Sequence, residues 1–176
     1  MIELDEPAPD FELDSTRGKV SLSDFRGKWV VLFSYPLDFT PICESDNIAF
    51  SREIKEFDQL DVQLLGFSVD SVESHRRWID DISKKTGVKI TYPLIADTER
   101  ELARKYGVLH KEKSVAYRGL FIIDPQGILR IAMIYPLEVG RSTKETLRII
   151  RVLQRAQELR EMEEMERAKE LSKFTE

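Results

Sequence analysis

Residues 28–43 read KWVVLFSYPLDFTPIC, and the fold turns on how this stretch divides. Its first half is a near-continuous apolar run, too short for a helix and rich in β-branched and aromatic residues. It is therefore a buried strand, ending at Pro36. In the second half Thr40 suits a helix N-cap and Pro41 the first helical position, so a helix opens just past the turn. Cys43 falls at its third position.

Downstream, Ile48, Phe50, Ile54, Phe57 and Leu60 recur at roughly helical spacing, and VQLLGFSVD (62–70) follows as a second buried strand. Strand, helix, strand is the result. SVESHRRWIDDISKKTG (71–87) is a further helix, with Ser71 as its cap, Gly87 as its stop and Trp78, Ile79 and Ile82 on its apolar face. YPLIAD is a short strand and TERELARKYG a short helix ending at Gly107. GLFIIDPQGILRIAMIY (119–135) is two strands joined by an Asp-Pro-Gln-Gly turn. Upstream, FELDSTRGKVSL (11–22) alternates around a polar turn and reads as an N-terminal hairpin. The class is α/β: a mixed sheet, parallel in part and antiparallel at one side, with helices on both faces.

From Thr143 to about Leu171 the chain reads as one long helix with an apolar residue at every third position, from Leu147 through Leu159 and Met165 to Leu171. A step of three slips about 60° around the helix each time, so this stripe winds and holds no single face. The first half suits a core. The rest is either a solvated tail or a segment that crosses to another subunit. The division expected is a domain over 1–153 and a helical extension over 154–176.

The 176 residues are 41% apolar and 34% charged, enough for one domain with a core of its own. No apolar run is long enough to span a bilayer, and the acidic start MIELDEPAPDF does not resemble a secretory signal. A cytoplasmic protein is expected, with no membrane partner. Net charge is −5 and the basic residues are interspersed with acidic ones, which argues against nucleic acid. Asn47 is the only asparagine and Cys43 the only cysteine. No CxxC pair and no His, Cys, Asp or Glu cluster of metal spacing occurs, so neither a metal nor a cofactor is expected. His75 and His110 stand alone and read as surface histidines.

A single thiol is either apolar filler or chemistry. At the opening of a helix, the free N–H groups and the dipole favour a thiolate, the nucleophilic form. An ordinary cysteine is ionised to only about 3% at neutral pH, so full ionisation gains at most about 30-fold. Fast chemistry needs further donors aimed at the charge that develops in the transition state.

FSYPLDFTPIC resembles the active-site segment of the peroxiredoxins, Pro-x-x-x-Thr-x-x-Cys, here Pro36, Thr40 and Cys43. GFSVDSVESHRRWI, YPLIAD, YGVL, RGLFIIDPQGILR and GRSTKETLRII resemble later family blocks in the same order, over about residues 5–153. The resemblance implies an elaborated thioredoxin fold and a thiol peroxidase for H2O2 and organic hydroperoxides. In it Cys43 is the attacking thiolate, Thr40 exchanges hydrogen bonds with the peroxide oxygens, and Pro36 closes the pocket. Arg118 matches the arginine beside the thiolate, and Arg141 a second, supporting one.

Three departures stand out. Asp46 takes the place of a common Glu and is one methylene shorter, which puts its link to Arg118 in doubt. Tyr35 stands where relatives often have His or Phe. No Val-Cys-Pro segment with a resolving cysteine is present, nor the further C-terminal domain of one-cysteine relatives. The one-cysteine type is implied, with re-reduction by an external thiol or thioredoxin-like partner, and a homodimer or ring of dimers. A redox-regulated holdase or a peroxide sensor on the same fold is the rival reading.

Overall fold

The computed structural model describes residues 1–174. The chain forms two compact units, Met1–Arg141 and a second that begins at Ser142. The last two residues of the expected extension, 175 and 176, lie outside the described residues.

The first unit runs β1 (Glu12–Ser15), β2 (Gly18–Ser21), β3 (Trp29–Ser34), α1 (Pro41–Arg52), α2 (Ile54–Gln59), β4 (Val62–Ser68), α3 (Val72–Thr86), β5 (Leu94–Ala96), α4 (Glu101–Lys105), β6 (Arg118–Ile123) and β7 (Leu129–Tyr135). The strands form one sheet in the order β2-β1-β5-β4-β3-β6-β7. Its centre is parallel, with β3 on β4 from Trp29↔Val62 to Ser34↔Phe67 and β4 on β5 through Gly66↔Leu94. β6 and β7 continue it antiparallel. The β1–β2 hairpin joins β5, also antiparallel, through Ser15↔Ile95. Antiparallel pairing thus flanks the parallel centre on both sides, not on the one side the sequence suggested. The hairpin's attachment to β5 is a long-range pairing that no local pattern encodes.

β3 is buried at every position, as a strand covered on both faces must be. On one face Phe33 stacks on Phe50 of α1 at 4.4 Å. On the other, Val30 and Leu32 join a core with Leu65, Phe121, and Leu102 and Ala103 of α4. Gly66 lies between: a Cβ there would come within 2.8 Å of Leu94 and 3.0 Å of Phe33.

The apolar run 48–60 is two helices, because the backbone breaks at Glu53 (φ −98°, ψ 11°). Nothing in the spacing marks that break. α1 starts where expected, with Thr40 extended and Pro41 first. Its buried residues are Cys43, Asp46, Asn47, Phe50 and Ser51, an inward face that is largely polar. α3 is capped by Ser71, whose hydroxyl accepts from the Ser74 N–H at 3.1 Å, and ends at left-handed Gly87.

The second unit is α5 (Thr143–Ser172), opened by Ser142, which accepts from the Glu145 N–H at 3.2 Å. Its buried residues, Thr146, Leu147 and Ile150, fall in the first turns. Among the described residues no helix is long and apolar enough to cross a membrane.

Candidate active site around the sole cysteine

Cys43 is fully buried, on the third residue of α1. The first ladder bond of α1 runs from the Glu44 N–H to the Thr40 carbonyl at 2.9 Å, so the N–H groups of Ile42 and Cys43 precede the ladder. The turn's own carbonyl is held from the other side, since Asn47 Nδ2 donates to the Cys43 oxygen at 2.9 Å. Tyr92 in turn donates to Asn47 Oδ1 at 2.7 Å. Burial pushes the pKa of Tyr92 up, so it remains a donor.

Arg118 opens β6, and the β3–β6 pairing carries it to the cysteine. Its Nη1 lies 3.4 Å from Cys43 Sγ, with Arg118 itself only 3% exposed. The fork is aimed by its other end, as Nε donates to the Leu137 carbonyl at 2.7 Å.

Asp46 and Arg141 form the adjacent layer. Arg141 Nε and Nη2 donate to Asp46 Oδ2 at 3.1 and 2.9 Å, and the Arg141 N–H donates to Oδ1 at 3.1 Å. Arg141 Nη1 also donates to the Ser34 and Gly119 carbonyls, and its guanidinium lies 5.2 Å from the Phe33 ring centroid. Burial pushes the pKa of Arg141 below the ordinary arginine value, and the charge and hydrogen bonds of Asp46 oppose that. Asp46 reaches Arg118 only at 3.8 Å. Its short carboxylate therefore belongs chiefly to Arg141, and Gly140 makes room for it: a Cβ at Gly140 would stand 2.8 Å from Asp46 Oδ1.

Thr40 takes the N-cap position, but its hydroxyl does not cap the helix. It donates to the Leu37 carbonyl at 2.8 Å. A hydroxyl has one proton, so Thr40 keeps only its lone pairs for a ligand. Pro36, half-buried, stands at the other end of the same loop. Around the loop the exposed side chains are apolar: Leu37, Phe39 and Ile42, with Val139 beyond.

Sequence reasoning missed the supports. Asn47 and Tyr92 act across 45 residues, and Gly140 is defined by a carboxylate nearly a hundred positions earlier. His75 is a correction: expected at the surface, it is fully buried, with Nδ1 2.8 Å from Asp38 Oδ2. A carboxylate partner 37 residues away keeps the imidazole inside, and no local pattern announces it. His110 is half-buried, and its Nδ1 accepts from the Glu112 and Lys113 N–H groups. Among the described residues no group of three or more His, Cys, Asp or Glu side chains is placed to hold a metal ion.

Residues 4–132 match the family model described as AhpC/TSA. The chain is 48% identical over 147 residues to peroxiredoxin 2 of Picrophilus torridus, covering 84% of this chain and 73% of that one. It is 48% identical over 149 residues to a peroxiredoxin of Aquifex aeolicus, covering 83% and 67%. Among solved structures it is similar to a cysteine-to-serine mutant of peroxiredoxin 6 of Arenicola marina, with a TM-score of 0.83 and 37% identity over 88% of this chain and 74% of that one. It is equally similar to a yeast mitochondrial 1-Cys peroxiredoxin whose thiol is resolved through glutathione and thioredoxin systems. There the TM-score is 0.83 and the identity 39%, over 90% and 79%.

Proposed function

The chain belongs to the AhpC/TSA family of peroxiredoxins, thiol-dependent peroxidases on a thioredoxin-like fold, and from that premise we propose how its residues divide the work. The observation that carries the reading is the buried contact of Arg118 Nη1 with Cys43 Sγ at 3.4 Å.

The Cys43 thiolate attacks the terminal oxygen of H2O2 or an organic hydroperoxide. The S–O bond forms as the O–O bond breaks, hydroxide or alkoxide leaves and takes a proton, and the sulfur becomes a sulfenic acid. Arg118 offers its positive charge to the sulfur and to the departing oxygen, a donor already aimed where charge develops. Thr40 accepts a hydrogen bond from the peroxide O–H; its own proton is committed to Leu37. Pro36 limits water at the thiol. Arg141 and Asp46 act as support. Together Arg118, Arg141 and Asp46 carry one net positive charge, which a thiolate at Cys43 balances.

Cys43 is the sequence's only cysteine, so within this chain no second thiol can close a disulfide with it. An external thiol therefore condenses with the sulfenic acid, releasing water, and a second thiol frees Cys43 as the mixed disulfide is exchanged. The yeast relative resolved through glutathione and thioredoxin systems supports such a partner. The same reading makes the protein cytoplasmic, a homodimer or ring of dimers, with a catalytic domain over 1–153 and an extension from 154.

Stopped-flow oxidation by H2O2 with dimedone trapping tests it. Wild type is expected to react rapidly and give one adduct at Cys43, and Cys43→Ser to consume no peroxide. A serine variant that keeps its activity would sink the assignment.

A further inference from the structure

A second buried polar cluster has no part in the steps above. His75 Nε2 is 2.9 Å from the Ile95 carbonyl oxygen, which can only accept, so Nε2 carries hydrogen. Nδ1 faces both oxygens of Asp38, at 2.8 and 3.0 Å. Tyr35 and Ser74 each donate to Asp38 at 2.8 Å, and the Asp38 N–H donates to Asp70 Oδ2 at 2.9 Å. Burial and the charge of Asp38 push Tyr35 well above the ordinary tyrosine range, so its hydroxyl stays a donor. Asp70 is itself held by the Ser68 hydroxyl at 2.6 Å. Asp38 is thereby tied to α3, to β5 through His75, and to the end of β4.

The next residue is strained. Phe39 has φ 59°, a left-handed backbone that a bulky L side chain resists, and the residue is 52% exposed, with one ring neighbour, Trp78, at 6.5 Å between centroids, so burial does little to hold it there. Thr40 and the first turn of α1 come directly after. A loop in an unfavourable conformation persists only where its surroundings over-determine it, and Asp38 is where the bonds gather.

We propose that His75 is a positioning residue for the peroxide reaction: by gripping Asp38 it holds the left-handed turn at Phe39, and so sets Thr40 and the Cys43 turn where peroxide meets them. This rests on the assignment of Cys43 as the attacking thiol.

Two near-isosteres separate the grip from simple core filling. His75→Asn places an amide nitrogen where Nδ1 stands and keeps the bond to Asp38. His75→Gln places one where Nε2 stands and keeps only the bond to Ile95. The second-order rate of Cys43 oxidation by H2O2 is expected within about threefold of wild type for Asn and at least about tenfold below it for Gln, at similar melting temperatures. Adding Phe39→Asn, a residue that tolerates left-handed backbone, is expected to bring the Gln variant back to within about threefold of the Asn variant.

Equal rates for the two His75 variants, or a Gln defect that Phe39→Asn leaves in place, overturn the proposal. If either His75 variant fails to fold, Asp38→Asn takes its place, and a rate loss must again be relieved by Phe39→Asn. A wild-type rate no faster than that of a free thiol removes the Cys43 assignment and the grip with it. A fast wild type with equal variants removes the grip alone.

Discussion

Two buried arginines divide one sulfur and one carboxylate between them, Arg118 against Cys43 and Arg141 on Asp46, and this division of charge decides how each substitution acts. Arg118→Met keeps the length of the side chain and removes the cation 3.4 Å from Sγ. Stopped-flow oxidation by H2O2 should slow on the order of 10²–10³-fold, the usual effect of losing one aimed donor, with little change in melting temperature. Asp46→Asn acts on stability instead. It leaves Arg141, whose side chain is 1% exposed, without its counter-charge, and urea unfolding should show a loss of about 3–5 kcal/mol. An unchanged midpoint would mean that Arg141 finds another anion. The start of α1 and the place of Cys43 in its first turn were legible because Thr40, Pro41 and the thiol lie within four positions. That Arg118 lies beside the thiol and Arg141 beside Asp46 was suggested only by resemblance, since an arginine at a strand end is usually a solvated end. The true partner of Asp46 was not legible: a side chain one methylene shorter lies 3.8 Å from Arg118 yet is well placed for Arg141, and that depends on a glycine far away in sequence. Asn47 registered only as a count, although its amide holds the cysteine turn.

At the scale of elements, the strands and caps followed from local chemistry and the exceptions from packing. β3, β4 and β6 are read from apolar runs, and α3 from Ser71 and Gly87, because each signal lies within the element. The break at Glu53 and the pairing of the hairpin with β5 are tertiary outcomes. The inward face of α1 carries Asp46, Asn47 and Ser51, where a purely structural helix would carry apolar residues. Such a local conflict with the core is expected where a site is built. The sheet beneath is tuned to it at Gly66, whose missing Cβ leaves space for Phe33, the ring over which Arg141 lies. Gly66→Ala should destabilise by about 1–3 kcal/mol through overpacking. The crowding falls on Leu94 and on Phe33, so the same variant should also slow peroxide oxidation as Phe33 and with it Arg141 shift. A destabilised variant with an unaltered rate would separate the Phe33 stack from the site.

Across the whole molecule the open question is the far half of α5. Leu159, Met162, Met165 and Leu171 are 45 to 67% exposed, and their three-residue step distributes them around the helix. A partner copy laid along one side would cover only some of them, whereas a coiled-coil seam repeats every 3.5 residues to keep its apolar side chains together. The helix has a local source of support. Arg148 pairs with Glu145 at 2.7 Å, Arg155 with Glu158 at 3.1 Å, and Gln157 donates to Glu161 at 3.1 Å, contacts of the i,i+3 and i,i+4 kind that steady a helix in water. A chain ending after Arg160 is therefore expected to keep the peroxide rate, the melting temperature and the sedimentation coefficient per mass of the full chain. Dissociation of the assembly on truncation, with the rate retained, would instead assign the tail to a neighbouring copy. Loss of the rate as well would extend the catalytic domain beyond residue 160. The solvated reading follows from the winding stripe and the side-chain pairs together, since apolar residues spread around a charged helix can be left in water at little cost.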